Sequence, residues 1–208
     1  MSTKLIFFLF FISSIMYAQE TDTLYDKRDG KTYKTVKIGN QWWMAENLAY
    51  KPSIGEYYAY RNNEGYVAIY GYLYNWKTAC NVCPKGWHLP SDKEWQKLEI
   101  TLGMSQLEAE DFKYRGVNIG SKLAGNSLLW RNGILLNNSK FGSSGFLALP
   151  GGYSNVVNFR DIDKSAYFWS STGENSGAWL RVLSFNQEGI SRIGWGKAFY
   201  FSVRCVKD

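Results

Sequence analysis

Histidine is nearly absent from this chain: His88 is the single example in 208 residues. Any Ser-His-Asp or Cys-His hydrolase would have to be built on that ring. Its place between Trp87 and Leu89 reads instead as a turn residue whose ring bonds backbone. Cysteine is scarce as well, and Cys80, Cys83 and Cys205 make an odd set of three. After residue 18 no apolar run is long enough to cross a bilayer, so no transmembrane segment is expected. Clustered basic residues are missing too. The net charge of +6 is spread, as in Lys31, Lys34 and Lys37, which suits a solvated surface and not a nucleic-acid footprint. An Asp-x-Asp-x-Asp-Gly loop is absent, which excludes an EF-hand. With no repeat, low-complexity tract or internal linker, one domain is expected.

What is present begins with an address. Residues 1–18 carry one charge, Lys4, ahead of the apolar run LIFFLFFISSIM, and Ala18 offers a small residue for cleavage before Gln19. This pattern reads as a secretory signal peptide. No cysteine follows the run, so a lipid anchor is not expected. The protein is expected to be exported, to the periplasm, the outer surface or the medium. Nine tryptophans and fifteen tyrosines beside 20 glycines imply a loop-rich fold whose core is built from large rings.

Residues 19–30 are polar and read as a flexible lead, with the domain spanning 31–208. KTYKTVKI alternates, Gly39-Asn40 suits a two-residue hairpin turn, and QWWMAENL is apolar enough to be a central strand. Residues 50–70 read as a loop, and Leu73, Trp76 and Lys77 suggest a short helix within YGYLYNWKTAC. Ser91 and Glu94 form a capping box for a helix over about 92–102, where Trp95, Leu98, Glu99 and Leu102 share a face and Gly103 marks the stop. Residues 105–113 add a further turn. A glycine- and asparagine-punctuated stretch follows from Gly120. Strand character then returns in YFWSST, AWLRVLSF, GISRIG and FYFSVRCV, where Phe201, Val203 and Cys205 alternate with Ser202, Arg204 and Val206.

Seven blocks then line up in order: YKTVKIGNQWWMAENL (33–48), YGYLYNW (70–76), CPKGWHLPSDKEW (83–95), GSKLAG (120–125), SGFLALPGGY (144–153), FWSST (168–172) and FSVRCVKD (201–208). Together they resemble the Fibrobacter succinogenes major paralogous domain found widely in Bacteroidota and Fibrobacteres. The resemblance implies an α+β, C-type-lectin-like fold, with two short helices, antiparallel strands and a long irregular loop region. That fold also includes formylglycine-generating-type enzymes. By the same resemblance Cys83 and Cys205 match family positions and form a disulfide. Closing a loop of about 120 residues would contribute on the order of 4–5 kcal/mol in chain-entropy terms. Cys80 is then left over, either buried and inert or a point of accidental dimerisation. Two other readings of the cysteines compete with this bridge: thiol–disulfide exchange at Cys80-x-x-Cys83, and a zinc set completed by His88.

Asp161, Asp163 and Glu174 are the best carboxylate group for calcium or acid–base work, yet the chain lacks the Glu-Pro-Asn, Gln-Pro-Asp and Trp-Asn-Asp words of calcium-dependent sugar-binding lectins. Flat rings stack on sugars and arginines fork onto carboxylates or hydroxyls, so the excursion from about Asn155 to Trp195 is the candidate binding region. It offers Tyr153, Phe159, Arg160, Tyr167, Trp179 and Arg181, with Arg160, Arg192 and Trp195 expected to be exposed ligand contacts. Catalytic residues, a metal site and a cofactor are not assigned. The expected function is an exported, non-enzymatic recognition domain for a glycan or protein at the bacterial cell surface. A formylglycine-generating-type enzyme or other hydrolase, and a structural component of a surface assembly, are the alternatives.

Overall fold

The hairpin around Gly39-Asn40 seeds the first sheet. Lys31–Ile38 pairs antiparallel with Gln41–Met44, Val36 opposite Trp43, and Gly39 takes the left-handed conformation (φ 60°) that so tight a turn favours. Tyr33, Thr35, Val36 and Ile38 are all buried, so this strand is covered on both faces. The computed structural model describes residues 19–208, and the signal-peptide reading of 1–18 lies outside the described residues.

The expected flexible lead is instead a strand, Thr21–Asp26, paired antiparallel with residues 31–36. Most of its side chains face solvent, so its composition carried little strand signal. Its anchor is buried Asp26, which accepts from Arg28 Nε at 2.9 Å and Nη2 at 2.7 Å. The five-stranded order is Thr21–Asp26, Lys31–Ile38, Gln41–Met44, Val206–Lys207, Trp87–His88, with Val206 seated between Trp43 and His88. Gln41–Met44 is central, as its Trp-Trp-Met run implied.

The second sheet has nine strands. Its main path runs Tyr57–Tyr58, Leu73–Asn75, Tyr200–Phe201, Gly151–Ser154, Ser165–Glu174, Gly177–Ser184, Ile190–Gly196, Lys113–Arg115, and Phe159–Ile162 pairs with Gly151–Ser154. FYFSVRCV is therefore two short strands, one in each sheet, joined by a buried crossing. The architecture is mixed α+β, with mainly antiparallel strands and short helices.

The longest helix among the described residues, Asp92–Thr101, begins where the capping box placed it. Ser91 Oγ accepts from the Glu94 amide at 3.3 Å, and Glu94 Oε2 accepts from the Ser91 amide at 2.7 Å. A second capping box, Ser105 with Glu108, starts the turn Gln106–Glu110. In YGYLYNWKTAC the helix is shorter than expected: Leu73–Asn75 is strand, and Asn75 Oδ1 accepts from the Thr78 amide at 2.9 Å, so the helix covers only Trp76–Ala79. The stretch 50–70 contains the strand Tyr57–Tyr58 and the helical turn Val67–Tyr70. After Gly120, order comes from backbone bonds such as Ser121 N to Glu188 O (3.1 Å) and Gly125 N to Ala148 O (2.9 Å). No helix among the described residues is long and apolar enough to cross a membrane.

Two ring-rich cores flank the nine-stranded sheet. Trp43, Trp95, Phe146 and Phe168 pack on its helix side, with Trp43 and Trp95 centroids 4.9 Å apart. Tyr74, Trp169, Phe201 and Cys205 pack on the other, with Trp169 and Phe201 at 4.5 Å. Cys83 and Cys205 are bridged with their Cα atoms 6.0 Å apart, across 122 positions. That bond removes both the Cys80–Cys83 redox pair and the thiolates of a zinc set.

Candidate binding face

On an extended strand, residues an odd number apart point to opposite faces, and this separates the expected contacts. Arg192 lies on the helix side of the nine-stranded sheet and is buried, 8% exposed. Its Nη2 donates to Asp92 Oδ2 at 2.8 Å and its Nε to Asp92 Oδ1 at 3.0 Å, while its guanidinium lies 3.9 Å from the Trp179 ring centre. The expectation that Arg192 is an exposed ligand contact is therefore wrong.

Arg192 belongs to a buried ionic layer that sequence reasoning missed. Asp92, Trp95 and Glu99 stand at i, i+3 and i+7 on one helix face, aimed at the sheet. Arg181, directly opposite Arg192 across two strands, donates from Nη1 to Asp92 Oδ1 (2.7 Å) and from Nε to Glu99 Oε1 (2.6 Å). Arg115 completes the chain through Nη2 to Glu99 Oε2 (2.6 Å). Like charges directly opposite would repel; the shared Asp92 carboxylate offsets this. Desolvation pulls the Arg115 guanidinium down to about 10, against the opposing pull of Glu99, so it stays charged at neutral pH. Burial pushes the Glu99 carboxyl up despite Arg181 and Arg115 beside it. Burial also pushes the Asp92 carboxyl up, but Arg192 and Arg181 outweigh it and hold the group below the usual carboxylate range. The one visible signal was Glu99, the only polar residue among Trp95, Leu98, Glu99 and Leu102.

Trp195 lies on the opposite side. It is half-buried, 5.6 Å from Phe199 and 6.4 Å from Tyr153 between ring centres. Tyr153 and Phe199 are also half-buried, and fully buried Phe201 supports all three from beneath. Arg160 is exposed and pairs directly across from Tyr153, which places its charge at the edge of this ring cluster. Two of the three expected contacts, Arg160 and Trp195, thus share one face through Tyr153. Burial pushes the Tyr153 hydroxyl up, reinforced by Asp161 and opposed by Arg160. Tyr167 packs edge-on against Tyr153 at 5.0 Å and donates its hydroxyl to Asp161 Oδ2 at 2.8 Å. Trp169 is core, and Trp179 is half-buried over Arg192.

The carboxylate group is not assembled. Asp161 serves Tyr167, Asp163 accepts from Arg131 Nη2 at 3.2 Å, and Glu174 ends the strand at a hairpin tip. His88 is a strand residue and its ring meets carboxylates, not backbone: Nδ1 lies 2.6 Å from Asp208 Oδ1 and Nε2 2.8 Å from Glu94 Oε1. Burial lowers its affinity for a proton, but the two carboxylates outweigh that and hold the ring above its usual range. Cys80 is free and exposed, not buried.

The family model described as the Fibrobacter succinogenes major domain matches residues 36–207. No curated protein and no solved structure matches the chain.

Proposed function

This chain belongs to the Fibrobacter succinogenes major domain family, and we propose that it is an exported, non-enzymatic recognition domain of C-type-lectin-like fold that binds a glycan at the bacterial cell surface. The observation that carries this reading is the shelf of half-buried rings, Tyr153, Trp195 and Phe199, edged by the exposed cation Arg160. Rings of this kind stack on the C–H faces of sugars, and the guanidinium forks onto hydroxyls or carboxylates. The fold assignment draws support from the way the last strand, Val206–Lys207, enters the sheet that holds the first strands, between Gln41–Met44 and Trp87–His88. The leader sequence and the Cys83–Cys205 bridge favour an oxidising, exported setting.

The test is a binding screen of residues 19–208 against glycans, bacterial wall polymers and surface-protein extracts, each with calcium and with a chelator. Saturable glycan binding that Trp195→Ala or Arg160→Ala weakens supports the proposal. Binding confined to a surface protein would replace the ligand class. Activity lost in a folded His88→Ala variant would instead favour a hydrolase.

A further inference from the structure

A cleft of about 630 Å³ lies between the segment from Tyr50 to Glu56 and the helix Trp76–Ala79 with the turn that follows it. That volume is in the range of small-ligand sites, roughly 300–1,000 Å³. Its walls are fixed. The Glu56 amide donates to Thr78 Oγ1 at 2.8 Å, and Gly55, at φ 116°, lies so close that a Cβ there would sit 2.5 Å from the same oxygen. Arg28 forms one end and is held on three sides: by buried Asp26, by the Val82 carbonyl at 2.9 Å, and by the Tyr50 ring 3.8 Å from its guanidinium carbon. Its charge is thus balanced within the protein, so this end presents a flat, stacked surface more than a free cation.

The polar groups in the cleft come as donor beside acceptor. Asn75 Nδ2 donates to Glu56 Oε2 at 2.8 Å, and the Tyr200 hydroxyl donates to the same oxygen at 2.6 Å. Both recorded bonds fall on Oε2, and Oε1 is the second acceptor of an exposed carboxylate. Lys77 and Asn81 supply donors from the facing wall, Asn81 with one amide hydrogen already given to the Lys77 carbonyl at 3.0 Å, and both are exposed. A hydroxyl both gives and takes a hydrogen bond, so adjacent hydroxyls match such mixed pairs better than a simple anion or cation does. Apolar surface lies between them: Pro52, Val82 and Ile54, the last 88% exposed at the rim. Lys77 offsets Glu56, and Asp26 behind the lining offsets Arg28, so the cleft together with its support carries no net charge.

From these contacts we propose that the cleft is a second saccharide site, separate from the Tyr153–Trp195 shelf, for a neutral sugar chain with adjacent hydroxyls. It does not rest on the shelf being a binding face. The test is a titration of residues 19–208 with neutral gluco-, manno-, xylo- and galacto-oligosaccharides of four to six units, with an oligo-uronate as the charged control, read by backbone amide NMR. Saturable shifts at Ile54, Glu56, Lys77 and Asn81 are expected from at least one neutral oligomer. The double variant Ile54→Ser/Asn81→Ala, both positions exposed, should weaken that binding at least ten-fold, whereas Trp195→Ala should leave it unchanged. Shifts confined to Tyr153, Trp195 and Phe199 would overturn this proposal while supporting the shelf. Tighter binding of the uronate, an unaffected double variant, or no saturable shift with any neutral oligomer would also overturn it.

Discussion

On one face of the nine-stranded sheet Arg181 and Leu183 look toward the helix Asp92–Thr101; on the other Ala178, Leu180 and Val182 look toward Trp169 and Phe201. The first face is tied to its cover by charge and the second by ring packing. A buried ion pair constrains its partners to one register, because a carboxylate displaced from its guanidinium is left uncompensated. Packed rings tolerate partial exposure, since an uncovered ring edge loses area but strands no charge. That difference explains why the ring face can end in an open shelf, whereas the ionic face ends under Trp179 and under Phe112, whose ring lies 5.5 Å from the Arg192 guanidinium.

The sharpest way to break this comparison is Arg181→Ala. It leaves Glu99 and Asp92 each short of a guanidinium and should lower stability by about 3–5 kcal/mol, measured as the free energy of urea unfolding. A loss below about 1 kcal/mol would mean that the ionic layer is not what fixes the helix to the sheet. Replacing both Cys83 and Cys205 by serine tests the covalent tie on the ring side, and should cost about 2–5 kcal/mol in the same assay. Arg192→Ala and Trp195→Ala then compare positions three apart on one strand. The first should lower stability by about 1–3 kcal/mol and leave ligand affinity unchanged. The second should reverse the emphasis, removing affinity while shifting the unfolding midpoint less than Arg192→Ala does. Equal effects on both readouts would erase the distinction between the faces.

The smallest effect is expected at the first sheet. His88 has its proton affinity raised in the folded protein, so its contribution is fully present below the unfolded value of 6.5 and is lost as pH rises through the raised folded value. Stability should therefore decline slightly with pH across that window, and His88→Ala should flatten the decline. A pH profile identical in the two proteins would show that the contacts to Asp208 and Glu94 do not couple to folding.

Much of the fold was legible because its signals are local. The Gly39 hairpin, the Ser91–Glu94 capping box and the alternation of Phe201, Val203 and Cys205 each depend on a few adjacent residues. Thr21–Asp26 was not legible, since an edge strand facing water shows no apolar period. Fully buried Arg204 was hidden for a different reason. It donates to Asn47 Oδ1 (2.7 Å) and to the carbonyls of Met44 (3.0 Å), Phe146 (2.5 Å) and Leu147 (2.8 Å), partners distant in sequence. Burial pulls its guanidinium down to about 9, against a weaker opposing pull from Glu46. Within the site, the separation of Arg192 from Trp195 follows from strand parity, but the segment GISRIG stops at Gly194, one residue short of Trp195, and only the longer strand Ile190–Gly196 carries both. What parity does not reveal is the cover: nothing near Arg192 in sequence points to Asp92.

The seat of Val206 between Trp43 and His88 makes completion of the first sheet depend on a long-range pairing. Its early hairpin can close within a few dozen residues, but its open edge waits for a strand from the far end of the chain. Non-local pairing of this kind slows the search for the native state, because loop-closure entropy is spent before the contacts form. Until Val206–Lys207 docks, the strands Gln41–Met44 and Trp87–His88 have no one between them. The five-stranded sheet is thus continuous only with Val206–Lys207 in place.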